Sequence, residues 1–186
     1  MVELAVSMTV LLILTAIAIP SLMYSFRTYQ LNDAATRVAD TLKFTRYEAV
    51  RRNMQVNFLM QASGTGWIVG TDSNRSGTIG STEKQQLIAG FATLLPSSAV
   101  PGPAAITTAL GVTGLTTKSG SAGSITFDAR GAIRGNIGGA VSSNVYVFYI
   151  GSSTDREFGY RAVILVPSGN IQIWTAPAGG PWQQVS

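Results

Sequence analysis

The chain has 186 residues, no cysteine, no histidine and a formal net charge of +4. Without thiol or imidazole it lacks disulfide staples, the usual general base, thiol nucleophiles and the common transition-metal ligands. Only 12% of its residues are charged, against about 25% in an ordinary globular domain.

One charge, Glu3, stands in the first 26 residues, and the stretch from Leu4 to Met23 holds none. At about 1.5 Å per residue such a stretch spans roughly the 30 Å of a bilayer core. A carboxylate at the centre of a membrane helix costs about 2.5–3.5 kcal/mol, less near its end, so Glu3 calls for a positive partner from another chain. A cleaved signal peptide fits poorly, because no Lys or Arg precedes the apolar run and no small-x-small site ends it. The segment is expected to be retained. Its first positive charge, Arg27, lies on the side that the positive-inside rule alone would send to the cytoplasm, a conflict that a basic leader would remove.

The helix is expected to continue. Leu31, Ala35, Val38, Leu42, Thr45 and Ala49 recur at three- and four-residue spacing, with Arg37, Asp40, Lys43, Arg46, Glu48, Arg51 and Arg52 mostly on the other faces. Asn53 is the expected stop, giving a rod of about 50 residues and roughly 75 Å, bent near Pro20, where the ring removes a backbone donor.

Beyond it, Val56 to Met60, Trp67 to Gly70, Ile125 to Phe127, Val145 to Ile150, Tyr160 to Val166 and Ile171 to Thr175 are short β-branched or aromatic runs separated by Gly, Ser, Asn and Pro. They predict antiparallel strands. Ala89 to Gly123, rich in small residues and charged only at Lys118, reads as a surface excursion or a pair of irregular strands. Between Asp72 and Glu83, oxygen side chains at the first, third, fifth and last positions of a twelve-residue stretch, with Gly77 sixth and Ile79 eighth, fit a calcium loop. Asp72, Asn74, Ser76 and Glu83 are its candidate ligands, and an Asx-rich hairpin turn is the alternative. Calcium is the one possible cofactor and none is required. Arg130 and Arg134, on one turn, are candidate phosphate contacts for nucleic acid, although the remaining basic residues form no run. The acids are scattered among turns, so no catalytic residue is assigned.

Glu3, the apolar helix and Ala16-Ile17-Ala18-Ile19-Pro20-Ser21 resemble the mature N-terminus of type IV pilins and pseudopilins, from which a basic leader is cut. In that family the glutamate is normally fifth, and here it is third: either two residues are missing from the start or Met1 is an unusual terminus. The match extends through Ala34 to Val56, Gly66 to Val69, the Asp72 to Glu83 loop, Ser124 to Gly131, and Val163 to Ile173 around Pro167-Ser168-Gly169. These pieces resemble the minor pilin and pseudopilin group containing FimT, FimU and GspH; Phe91 to Ser121 matches nothing in it.

The resemblance implies an α+β, type IV pilin-like fold: residues 1–26 as a membrane and filament-core helix, 27–55 as an amphipathic helix on the domain, and 56–186 as a β-rich globular domain. It implies a non-enzymatic structural subunit of a bacterial type IV pilus-like helical filament. Glu3 would pair with the N-terminal amine of an adjacent subunit, Pro20 would be a site of bending or melting, and Leu4, Val6, Val10, Leu14, Ile17 and Ile19 would pack in the filament core. The alternatives are a minor pseudopilin of a type II secretion system and a FimT-like DNA-uptake pilin. Implied partners are copies of the chain, the inner membrane before assembly, a prepilin peptidase and a pilus or secretion machinery. The filament would end outside the cell or, as a pseudopilus, in the periplasm.

Overall fold

The computed structural model describes residues 2–64, 66–119 and 123–185; Met1, on which the question of the terminus turns, lies outside the described residues. One helix, α1 (Val2–Arg52), runs without interruption through Pro20. Its C-terminal half is amphipathic as expected: Leu31, Ala35, Val38, Leu42, Thr45 and Ala49 are all buried, together with Ala34, Ala39 and Thr41. Glu48, assigned by spacing to the polar side, is buried as well. The stop at Asn53 has a physical cause. Asn53 takes a positive φ of 50°, and the amides of Asn53 and Met54 donate to the carbonyls of Val50 (3.2 Å) and Ala49 (3.1 Å). This crossed pair satisfies two carbonyls that a helix end otherwise leaves bare.

The chain then enters β1 (Val56–Ser63), turns into β2 (Gly66–Asp72), and, after the Asp72 to Glu83 loop, forms β3 (Gln85–Ile88). Next come β4 (Thr93–Leu95), a short helix α2 (Ala104–Leu110), β5 (Thr116–Thr117), β6 (Ile125–Phe127) and β7 (Ile133–Arg134). The last strands are β8 (Tyr146–Gly151), β9 (Tyr160–Leu165), β10 (Ile171–Ala176) and β11 (Gln183–Gln184). Two sheets result, one ordered β3-β2-β1-β6-β7 and the other β11-β10-β9-β8-β4. All these pairings are antiparallel, while β5 lies parallel to the start of β8 along the edge that β4 shares.

Both sheets present one face to α1. Val56, Phe58, Met60, Val69, Ile125, Phe127 and Ile133 of the first sheet join Phe148, Ile150, Val163 and Leu165 of the second in a single core with the helix. The rings of Phe58 and Phe148, 5.6 Å apart and 75° to each other, link the two sheets edge to face. The hydroxyls of Thr45 and Thr71 hydrogen bond at 2.7 Å within that core.

The other face of the second sheet is also covered, which corrects one of the two expectations for residues 89–123. Of the two readings, the pair of short strands is present as β4 and β5, and the described part of the segment is not a surface excursion: Leu95, Ile106, Trp182, Val147, Tyr149, Tyr160, Ile164 and Trp174 form a second buried cluster, with Val100, Leu110 and Leu115 packed against it. A small-residue segment does this because α2 delivers one fully buried side chain, Ile106, and Trp182 closes the layer by donating from Nε1 to the Pro101 carbonyl at 3.1 Å. Being covered on both faces, β8 is buried at every position, and so its sequence is a continuous apolar run rather than an alternation.

Candidate assembly helix and loop sites

From Val2 to Phe26 every residue of α1 is exposed, including Leu4, Val6, Val10, Leu14, Ile17, Ile19 and Pro20. The polar interruptions there are self-satisfied: the hydroxyls of Ser7, Thr9, Thr15 and Ser25 each donate to the carbonyl four residues back, at 2.7–3.1 Å. Bonded inward, they offer little to water, and the surface they leave is hydrocarbon. Glu3 lies in the first turn, where the helix dipole favours an anion, and its carboxylate has no partner among the described residues. This is the one helix long and apolar enough to cross a membrane among the described residues.

The Asp72 to Glu83 loop closes on its own amides. Asp72, fully buried at the end of β2, accepts from the amides of Ser76 (2.9 Å) and Gly77 (3.0 Å) and from Asn57 Nδ2 (3.3 Å). Glu83 accepts from the amides of Ser73, Asn74 and Gly80 and from the Ser73 hydroxyl, at 2.7–3.2 Å. Burial pushes the Glu83 carboxyl up, but those donors outweigh it and hold the group below its ordinary value. Asn74 Oδ1 accepts the Ser76 amide at 2.8 Å, while the Ser76 hydroxyl donates to the Thr78 carbonyl at 3.0 Å. The four candidate ligands are therefore neighbours, and both carboxylates accept from N–H and O–H donors, as in the Asx-turn alternative. Adding about 1 mM Ca²⁺ is accordingly expected to shift the melting temperature by less than 1 °C. A rise of several degrees that disappears in Asp72→Asn would demonstrate a calcium site instead.

Arg130 and Arg134 are not equivalent. Arg134 donates to Asp128 Oδ2 from Nε (3.1 Å) and Nη2 (3.0 Å), and from Nη1 to the Gly139 carbonyl at 2.6 Å. Asp128 in turn accepts from the amides of Arg130 and Ala132, both at 2.9 Å. Burial raises the Asp128 carboxyl, and these amides with Arg134 bring it below its usual range. Arg134 thus holds its own turn together, and Arg130 alone leaves an exposed side chain.

Other residues carry geometry that the sequence did not announce. Arg46 reaches from α1 to a turn of each sheet, donating to the carbonyls of Gly131 (3.1 Å), Gly169 (3.1 Å) and Ser168 (3.3 Å). Both glycines have positive φ, and a Cβ at Gly169 would stand 2.7 Å from the guanidinium, so glycine is required there on two counts. Glu48 binds Arg51 through two hydrogen bonds of 2.6 and 2.8 Å and also accepts from Arg52 Nε. The Arg51 hydrogen bonds, against the cost of burial and with help from Arg52, lower its pKa to about 2.

Because the folded value of Glu48 lies below the unfolded one, its stabilisation is present above about pH 4.5 and is lost as pH falls toward 2. Both arginines are partly exposed, so screening reduces the contribution to about 1–2 kcal/mol. Glu48→Gln is expected to lower stability by that amount at neutral pH and to flatten the acid limb of a melting-temperature profile.

At the other end of the domain, Arg161 is 7% exposed. It donates from Nε to Asn32 Oδ1 at 2.6 Å and from Nη1 to the Tyr160 carbonyl at 2.9 Å, and no carboxylate pairs with it among the described residues. Burial lowers its pKa from the usual arginine value, while Tyr24 opposes the shift.

The model of the family described as Type II transport protein GspH matches residues 34–169, the larger part of the chain and most of its helix-on-sheet core. The chain belongs to the GspH family. Among solved structures it is similar to the type IV minor pilin FimU of Pseudomonas aeruginosa PAO1, at 18% identity over 81% of this chain and 90% of that one, with a TM-score of 0.51. A second crystal form of FimU gives 18% identity, coverage of 80% and 94%, and a TM-score of 0.49. No curated protein matches. At this identity the likeness is one of fold: a long N-terminal helix laid on antiparallel sheets. GspH-family and pilin chains are structural rather than catalytic, and no cluster of three acidic side chains able to hold a metal occurs among the described residues.

Proposed function

We propose that this GspH-family chain is a structural subunit of a bacterial type IV pilus-like helical filament, assembled through its N-terminal helix. One observation carries the reading. The helix that supplies the buried stripe from Leu31 to Ala49 continues outward as an apolar rod, exposed at every position from Val2 to Phe26. Such a surface has two stable environments, a bilayer and a bundle of like helices, and a subunit that exchanges the first for the second polymerises with its domain outside. The precursor would sit in the inner membrane after a prepilin peptidase removes a leader, and the filament would be extracellular.

A second reading, a minor pseudopilin of a type II secretion system with a periplasmic pseudopilus, draws its support from the family model over residues 34–169. The two differ in stoichiometry. Filaments sheared from cells and quantified by mass spectrometry are expected to hold this chain as the most abundant component; a trace amount in another protein's filament would favour the pseudopilin. Glu3→Gln is expected to leave membrane attachment intact and to reduce assembly at least tenfold, by removing the charge that meets a neighbour's amine. Unchanged assembly would remove Glu3 from the account. DNA uptake is a weaker third reading, since of its two candidate contacts Arg134 is committed to Asp128.

A further inference from the structure

Where α1 leaves the apolar stretch, a cavity of about 210 Å³ opens between the helix and the base of the second sheet, lined by Tyr24, Thr28, Glu157, Phe158, Arg161 and Thr175 among others. Two of its donors have no protein acceptor among the described residues. Arg161, more than nine-tenths buried as a residue, uses Nε and Nη1 within the protein, while its Nη2, which is not among the fully enclosed atoms, makes no hydrogen bond among the described residues. The Thr28 hydroxyl is buried without a hydrogen-bond partner among the described residues. A buried guanidinium without a carboxylate is costly, and a cavity lined by that guanidinium and an unpartnered hydroxyl suits an occupant that accepts hydrogen bonds and carries negative charge. Glu157, also at the cavity, makes no ion pair with Arg161 and is exposed.

Depth identifies the class of anion. Thr28 follows Met23, the end of the apolar stretch, by five residues, about 7.5 Å along a helix, which is the thickness of one headgroup layer. Tyr24 packs at a tilt against Phe158 (5.3 Å), Phe158 meets Phe91 edge to face (5.1 Å), and Arg27 lies 4.6 Å over the Phe91 ring. Aromatic and basic side chains at this level are those found at a membrane interface. The cavity equals about seven waters in volume, room for a phosphate group but not for a lipid.

We propose that this cavity binds a phosphate group, presented by a phospholipid headgroup while the subunit is anchored. The source depends on the membrane reading above, whereas the anion chemistry depends only on Arg161 and Thr28.

The test is calorimetric titration of the full chain in maltoside micelles with dihexanoyl phosphatidylglycerol, sodium phosphate and dihexanoylglycerol. The phospholipid is expected to bind, the phosphate-free lipid not to bind, and sodium phosphate to bind at least tenfold more weakly than the phospholipid. Affinity should fall about tenfold in Arg161→Gln and about threefold in Thr28→Val, the second variant deciding the matter if the first fails to fold. Equal affinity for sodium phosphate would keep the anion site and overturn the lipid source. Absence of binding by both phosphate probes, or affinity unchanged in Thr28→Val, would overturn the proposal. So would an Arg161→Gln chain that binds normally but no longer assembles, which would assign the guanidinium to a carboxylate of a second copy. Co-sedimentation of Thr28→Val with phosphatidylcholine vesicles reads the anchor separately: a chain that has lost only the phosphate site still sediments.

Discussion

Leu14→Asp is expected to abolish filaments while leaving the β-domain as stable as before. Position 14 lies seventeen residues before Leu31, the first buried residue of the helix, and is exposed on the single subunit, so nothing in the folded domain depends on it. A carboxylate at the centre of a membrane helix costs about 2.5–3.5 kcal/mol, so a subunit whose new carboxylate stays hydrated at a micelle or membrane surface loses up to about that much on entering the packed core, as much as roughly a hundredfold rise in the concentration needed for assembly. Pelleting of filaments measures the loss, and circular dichroism melting of the same chain in micelles measures what is retained. Filaments forming at the original concentration would mean that the apolar rod is not the assembly surface.

The second large effect belongs to the domain. Phe148→Ala removes a fully buried ring from the core shared by the helix and both sheets, and with it the edge-to-face contact to Phe58. Truncating such a ring costs about 3–5 kcal/mol, a large share of the 5–15 kcal/mol that holds a typical domain together. A fall in melting temperature of about 10 °C or more is expected. Ile137→Ala, at an exposed position on a turn, should change stability by less than about 0.5 kcal/mol. Equal effects at the two positions would contradict the assignment of the core.

Much of this architecture was legible because its signals are local. The buried stripe of α1 repeats every three or four residues, and the six predicted runs lie on β1, β2, β6, β8, β9 and β10, with ends shifted by at most three residues. The elements that the sequence reading does not place are β3, β7, β11 and α2, between two and seven residues long, while β4 and β5 fall where a pair of irregular strands is one of two readings. Ala-Ala-Ile-Thr-Thr-Ala-Leu is too short to show a helical period, and only its contact with the outer face of β8 and β9 makes Ile106 a core residue. Arg46 and Arg161 were illegible for a different reason. Their partners lie up to 129 residues away in sequence, so only the folded chain brings donor and acceptor together. The two turns that Arg46 joins, at Gly131 and Gly169, lie in segments that carried the family resemblance. Their glycines are accounted for by positive φ at both positions and by the Arg46 guanidinium that stands close to where a Cβ would be.

The loop from Asp72 to Glu83 carries a complementary lesson. Spacing of oxygen side chains reports which residues can meet around a centre, and here the two carboxylates accept from backbone amides, an arrangement that a calcium titration has to separate from an ion site. The same carboxylates that a calcium loop would direct at an ion accept hydrogen bonds from Ser73, Asn74, Ser76, Gly77 and Gly80. A pattern of residue types does not distinguish the two outcomes, because both are satisfied by oxygen acceptors and a glycine turn.

Electron cryo-microscopy of filaments shed by the producing cells tests the central claim most directly. The account predicts a helical polymer whose repeating subunit is this chain, with Leu14 packed against neighbouring helices in the core and Glu3 beside the terminus of the next copy. A chain found only as a membrane-bound monomer, its apolar helix touching nothing but lipid, would contradict it.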